Sequence, residues 1–181
     1  DADLRREGLS LVCVPQDEIA RIVTLQTSGT TGTPKRVYFT QRDQELTADF
    51  FQHGMATFVQ PGSTVLVLMP GERPGSVGDL LRTGLGRAGV ETIVHGFVDS
   101  LSGVSSFLQK RELAAVVGIP KQVRALACYM AWRGERPSAL ESVLLSADYV
   151  STPAVSAIRN TWGAAVFEHY GMTEMGLGGG V

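Results

Sequence analysis

The chain has little cysteine: two residues, Cys13 and Cys128, among 181. They stand far apart and belong to no CxxC pair or Cys/His cluster. That pattern argues against a structural zinc site and a disulfide scaffold, and a reducing, cytoplasmic compartment fits. An excess of one charge is also lacking. The 16 Lys plus Arg against 18 Asp plus Glu leave a net charge of −2. Nothing in that balance marks a nucleic-acid or anionic-membrane binder. Long apolar runs are missing too. The run Val65-Leu66-Val67-Leu68-Met69 falls far short of the roughly 20 residues that span a bilayer. Asp1-Ala2-Asp3-Leu4-Arg5-Arg6-Glu7 has no apolar signal core behind it, and no internal repeat or long charge run is visible.

What is present is apolar bulk and glycine. Hydrophobic residues make up 44%, enough for a real core, and there are 21 glycines, above the usual share of roughly 7%. Residues 1–20 read as a lead-in and 21–181 as one core domain. Candidate strands are Arg21–Gln26, Val37–Phe39, Thr64–Met69, Val90–Val94, Leu113–Val117, Ser142–Leu145 and Ala165–Glu168. Several are apolar throughout, as strands buried on both faces of a parallel sheet are.

Helices fill the gaps. Thr40 with Asp43 resembles a capping box, ahead of a Leu46, Phe50, Met55, Phe58 stripe. Pro120 opens a helix with Val123, Leu126, Ala127 and Met130 on one face, and Gly134 suits its left-handed end. Ser151 reads as an N-cap with Pro153 just inside, before Val155, Ile158 and Trp162. Trp132, Trp162 and the phenylalanines read as core. This alternation predicts an α/β fold: an open, mostly parallel sheet with helices on both faces, in three layers. Ligands in such sheets sit at the carboxyl ends of the strands.

The first strand runs into Thr27-Ser28-Gly29-Thr30-Thr31-Gly32-Thr33-Pro34-Lys35-Arg36. Gly29 and Gly32 let the backbone turn tightly and approach a ligand. The hydroxyls and free backbone N–H groups suit anionic oxygens, and Lys35 adds a mobile positive charge. This is a phosphate cradle, but not the GxxxxGK[ST] loop. Pro34 stands where the second Gly belongs and Arg36 where the Ser/Thr belongs, and Val37-Tyr38-Phe39 reads as strand. A GTPase or kinase is thereby disfavoured. A bare polar hairpin is the alternative reading.

The last candidate strand leads into Glu168-His169-Tyr170-Gly171-Met172-Thr173-Glu174. An aromatic ring at a strand end can stack on a base. Glu168 can accept from an exocyclic amine, Thr173 offers a hydroxyl to phosphate, and Glu174 is a hard carboxylate suited to magnesium. Of the histidines, His95 follows a strand, His53 sits mid-helix, and alternation turns His169 away from the Glu168 face. None is a good metal ligand. Tyr170 as plain core and Glu174 as a solvated side chain remain the alternatives.

Together, Thr27–Lys35 and Tyr170-Gly171-Met172-Thr173-Glu174 resemble the adenylate-forming superfamily of acyl-CoA synthetases, luciferases and peptide-synthetase adenylation domains. Val117-Gly118-Ile119-Pro120 resembles that family's Gly-x-Pro step, and Ser146-Ala147-Asp148 its small-residue segment beside adenine. Residues 140–180 look most like the phenylacetate–CoA ligase branch. The resemblance implies that Thr27 to Thr31, Gly32 and Lys35 hold the β- and γ-phosphates of ATP. Tyr170 would stack on adenine, with Glu168, Gly171, Met172 and the Ser146–Asp148 backbone around it. Thr173 would bind the α-phosphate and Glu174 would help ligate Mg2+. Arg36 replaces the glycine common after the lysine.

The implied reaction joins a small-molecule carboxylic acid, aryl or phenylacetate-like, to AMP, and then passes the acyl group to coenzyme A. Lys35, Thr173 and Glu174 would carry the chemistry; both Lys35 and Glu174 read as exposed loop positions. The alternatives are an acyl-protein synthetase and a nucleotide-binding chain that catalyses nothing. No nucleic-acid or membrane partner is expected, and a homodimer is left open. Family members continue past the Gly176-Leu177-Gly178-Gly179-Gly180 stretch into a ribose-binding aspartate, a C-terminal subdomain and a lid domain with a catalytic lysine. The chain is therefore expected to be the N-terminal core of a longer ligase.

Overall fold

Leu66 and Leu68 point to one side of their strand and Val65 and Val67 to the other, and all four are fully buried. Two-faced burial of this kind is what a strand sandwiched between helices requires. The computed structural model describes residues 2–25 and 35–176. Along the chain lie α1 (Ala2–Glu7), β1 (Ile19–Leu25), β2 (Lys35–Thr40), α2 (Gln41–Met55), β3 (Thr64–Leu68), α3 (Val77–Arg87), β4 (Glu91–Val94), α4 (Leu101–Lys110), β5 (Ala115–Gly118), α5 (Pro120–Arg133), β6 (Ser142–Leu145), α6 (Thr152–Trp162) and β7 (Ala165–Glu168). Short 3-10 turns cover Gly8–Leu11, Gln16–Glu18 and Thr173–Met175. Among the described residues no helix is long and apolar enough to cross a membrane.

The strands divide into two sheets. β3 to β7 form a parallel sheet in the order β4-β3-β5-β6-β7, while β1 and β2 pair antiparallel as a separate ribbon. The chain runs outward from β3 to β4, then crosses back over β3 to β5 and continues to β7. Helices cover both faces. α4, α5 and α6 pack on the face carrying Leu66, Val116 and Val143. α2 and α3 pack on the face carrying Val67, Val117 and Leu144. The three-layer expectation is met, with the glycine-rich loop's flanking strands set apart from the main sheet.

Local chemistry accounts for the helix ends. At α2, Thr40 Oγ1 accepts from the Asp43 amide at 3.2 Å, and Asp43 Oδ2 accepts from the Thr40 amide at 2.8 Å. This reciprocal box satisfies N–H groups that a helix start leaves open. α5 starts on Pro120 and ends on Gly134 at φ 68°. Ser151 caps α6, which ends on Gly163 at φ 70°.

Four sequence expectations need correction. The core face of α2 is Thr47, Ala48, Phe51 and Met55. Leu46 is exposed instead, because α2 turns the neighbouring stripe toward α3; Phe58 lies past the helix end but packs against the same core, stacked on Phe167. Trp132 is 76% exposed, since α5 already fills its inner stripe with Val123, Leu126, Ala127 and Met130. Its ring lies 6.1 Å from Tyr129. Phe97, on the loop after β4, is exposed as well. Finally, the first strand starts at Ile19 rather than Arg21, Ile19 pairing with Thr40 beyond a register shift; α1 and two 3-10 turns precede it.

Candidate active site

The parallel ladder aligns Leu145 with Glu168 at the carboxyl ends of β6 and β7. Hydrogen bonding continues one step further: the Ser146 amide donates to the Gly118 carbonyl at 3.1 Å, and the His169 amide to the Leu145 carbonyl at 2.8 Å. Two predicted segments, Ser146-Ala147-Asp148 and Glu168 to Glu174, are thus brought side by side. Ser146 is buried; Ala147 and Asp148 are exposed. Ala147 has φ 70°, the one positive-φ residue other than glycine among the described residues. An alanine adopts this conformation only where its surroundings impose it.

Asp148 is tied to its own loop and to α5. Its Oδ1 accepts from the Tyr149 amide at 2.8 Å, and its Oδ2 lies 2.9 Å from Lys121 Nζ. The Lys121 hydrogen bond, then the amide, hold this carboxyl below its ordinary range. Glu168 is exposed at the end of β7, and Tyr170, 68% exposed, presents its ring to solvent. Gly171 and Met172 are exposed beside it. Such a ring is accessible for stacking, and the reading of Tyr170 as core is excluded.

Lys35 opens β2, the strand that follows the glycine-rich loop. Its ammonium donates to Glu174 Oε1, so motifs 139 residues apart in sequence meet in an ion pair. The expectation of an exposed loop position holds for Glu174, which is exposed on the Thr173–Met175 turn, and is corrected for Lys35. Lys35 is 7% exposed: it opens β2 paired with Leu25 of β1, and its ammonium is taken up by Glu174. The hydrogen bond from Lys35, followed by one from a backbone amide, holds the Glu174 carboxyl below its ordinary value, against desolvation. Glu174 therefore carries its charge at neutral pH. Thr27, Ser28, Gly29, Thr30, Thr31 and Gly32 lie outside the described residues, as does the stretch after Gly176.

Next to this pair is a cavity of about 350 Å³, bounded by Tyr38, Asp43, Leu46, Phe50, Glu174 and Met175. A smaller one of about 160 Å³ includes Arg21, Phe39, Thr47, Leu80 and Thr173 in its wall. Thr47 Oγ1 lies 2.5 Å from the Gly176 carbonyl and pins the turn to α2. Among the described residues no group of three or more His, Cys, Asp or Glu side chains is arranged to hold a metal. Magnesium bridging to phosphates needs only one or two carboxylates, so ionised Glu174 fits as a single ligand.

Sequence reasoning missed the contacts of His169. Its Nδ1 lies 2.7 Å from Ser146 Oγ, and its ring packs against Phe50 and Phe51. Alternation did place it away from Glu168, but no local motif could show what lay on that other side.

A family model described as AMP-binding enzyme matches residues 11–180. Comparison with curated proteins finds no match. Among solved structures, the chain is similar to 2-hydroxyisobutyryl-CoA ligase in complex with 2-HIB-AMP and CoA, at 22% identity and TM-score 0.77 over 97% of this chain and 42% of that one. It is also similar to the amide bond synthetase McbA from Marinactinospora thermotolerans, at 24% identity and TM-score 0.66 over 88% and 30%. O-succinylbenzoate coenzyme A synthetase from Bacillus subtilis, in complex with AMP, matches at 22% identity and TM-score 0.63 over 88% and 38%. The chain spans about two-fifths of the first of these (42%). These likenesses establish the fold, an α/β core shared with adenylate-forming enzymes. The family match covers nearly the whole chain, and the chain belongs to the AMP-binding enzyme family.

Proposed function

We propose that residues 21–181 form the nucleotide-binding core of an acid–thiol ligase, which joins a carboxylic acid to AMP and then transfers the acyl group to coenzyme A. The observation that carries this reading is the meeting of Lys35 and Glu174 from two distant motifs. A cation and a carboxylate at one point suit a polyphosphate and the magnesium that accompanies it. Membership of the AMP-binding family supports adenylation. The likeness to a CoA ligase caught with an acyl-adenylate and CoA supports the thiol acceptor. An aryl or phenylacetate-like acid is the substrate class proposed from the residue 140–180 resemblance.

In this reading the acid's carboxylate attacks the α-phosphorus of ATP in line, forming the P–O bond of the acyl-adenylate as pyrophosphate leaves. A thiolate then attacks the acyl carbon and AMP departs. The chain's own residues position and neutralise. Lys35, with the Thr27–Gly32 segment, would hold the departing pyrophosphate, and Thr173 would donate to an α-phosphate oxygen. Tyr170 would stack on adenine beside the Ser146–Asp148 backbone. Magnesium, when bound, would neutralise polyphosphate charge, with Glu174 as its protein ligand.

The test is acid-dependent ATP–pyrophosphate exchange by the full-length gene product, with a panel of aromatic and aliphatic acids, followed by CoA-dependent AMP release. Exchange with some acid is expected, and thioester formation after it. AMP binding without exchange for any acid would refute the ligase reading and favour a nucleotide-binding role alone. Exchange with acyl transfer only to a protein thiol would move the acceptor.

A further inference from the structure

The ends of β6 and β7 are locked together by side chains as well as by the ladder. Ser146 Oγ and His169 Nδ1 are 2.7 Å apart. Ser146 is 8% exposed, and His169 Nε2 is shut off from solvent. The imidazole also packs on α2, with ring centroids 5.6 Å from Phe50 and 5.8 Å from Phe51. One side chain therefore joins the loop after β6, the end of β7 and the helix that follows Lys35 and β2. Its two ties run to groups named for the nucleotide. Ser146 directly precedes Ala147, whose φ of 70° must be imposed from outside. His169 directly precedes Tyr170, whose ring is largely unpacked, so its placement depends on its backbone.

We infer that His169 is a positioning residue for the base of the nucleotide. Through its hydrogen bond to Ser146 and its seat on Phe50 and Phe51, it sets the gap between the Ser146–Asp148 backbone and Tyr170, where adenine would enter. This rests on the nucleotide-site reading above. A base held between a backbone edge and a ring is sensitive to displacements of a fraction of an ångström, which a buried hydrogen bond on a packed ring prevents.

The experiment measures, by calorimetry on the full-length gene product, the Kd for AMP and, separately, for inorganic pyrophosphate. Pyrophosphate probes the Lys35 side of the site, which His169 does not set. His169→Ala and Ser146→Ala are each expected to weaken AMP by about threefold to tenfold, the range one hydrogen bond spans, with pyrophosphate unchanged within about twofold. His169→Asn, whose amide reaches where Nδ1 did, is expected to recover most of the loss. The Ala/Ala double variant should bind AMP no worse than the weaker single, as residues acting through one contact do. Should His169→Ala fail to fold, Ser146→Ala and His169→Asn still give the answer. AMP affinity that stays at the wild-type level in every variant, or equal losses for AMP and pyrophosphate, would overturn the inference alone. A wild-type protein that binds neither AMP nor ATP would overturn the nucleotide-site reading, and this inference with it.

Discussion

Replacing Lys35 by Met removes one charge of the Lys35–Glu174 pair while keeping a stem of similar length to pack. The Lys35 side chain is 9% exposed and that of Glu174 31%. Exposed pairs contribute roughly 0–1 kcal/mol, and breaking a fully buried one costs about 3–5 kcal/mol. The orphaned Glu174 would keep a backbone hydrogen bond and some water, so Lys35→Met should cost about 1–2 kcal/mol. For a domain of this size that lowers Tm by roughly 2–8 °C. The sign with pH follows from Glu174. Its folded pKa lies below the ordinary value, so its stabilisation is complete above about pH 4–5 and fades as pH falls through the lower, folded value. Thermal and urea unfolding at low salt, at pH 7 and again near pH 3, should show the wild-type advantage shrinking in acid. Adding Glu174→Gln should cost less than the two single changes summed. A variant as stable as wild type at pH 7, or a gap equally wide at both pH values, would refute the pairing.

Two further outcomes test the local structure. Ala147→Gly should raise stability by about 0.5–1 kcal/mol, because glycine takes the φ of 70° without a Cβ penalty and that relief outweighs its entropy cost; a loss on urea denaturation would contradict the strain. Thr40→Ala removes the acceptor for the Asp43 amide and should destabilise by about 1 kcal/mol, read from the urea midpoint and from amide exchange in the first turn of α2.

Much of this protein was legible before any coordinates. The candidate strands in the parallel sheet needed only small boundary shifts, because a strand buried on both faces must be apolar throughout, as Val65 to Leu68 are. Thr40/Asp43, Pro120, Gly134 and Ser151 marked helix ends because capping is settled within a few residues of chain. The motifs around Lys35 and Glu174 pointed to phosphate chemistry because that chemistry demands particular side chains in a short span.

What the sequence could not supply was anything arising between elements distant along the chain. It could not show that β1 and β2 leave the main sheet as an antiparallel ribbon. Nor could it show that α2 buries Phe51 while leaving Leu46 in water. Trp132 looked like core because size and hydrophobicity are properties of the residue, whereas burial depends on which stripe the neighbouring element has already filled. The same reason hid the pairing of Lys35 with Glu174 and the seat of His169 between Ser146 and two phenylalanines. Each residue type is written in the chain, but a charge finds its counter-charge, and an imidazole its hydroxyl, only when packing brings separate strand ends to one edge of a sheet.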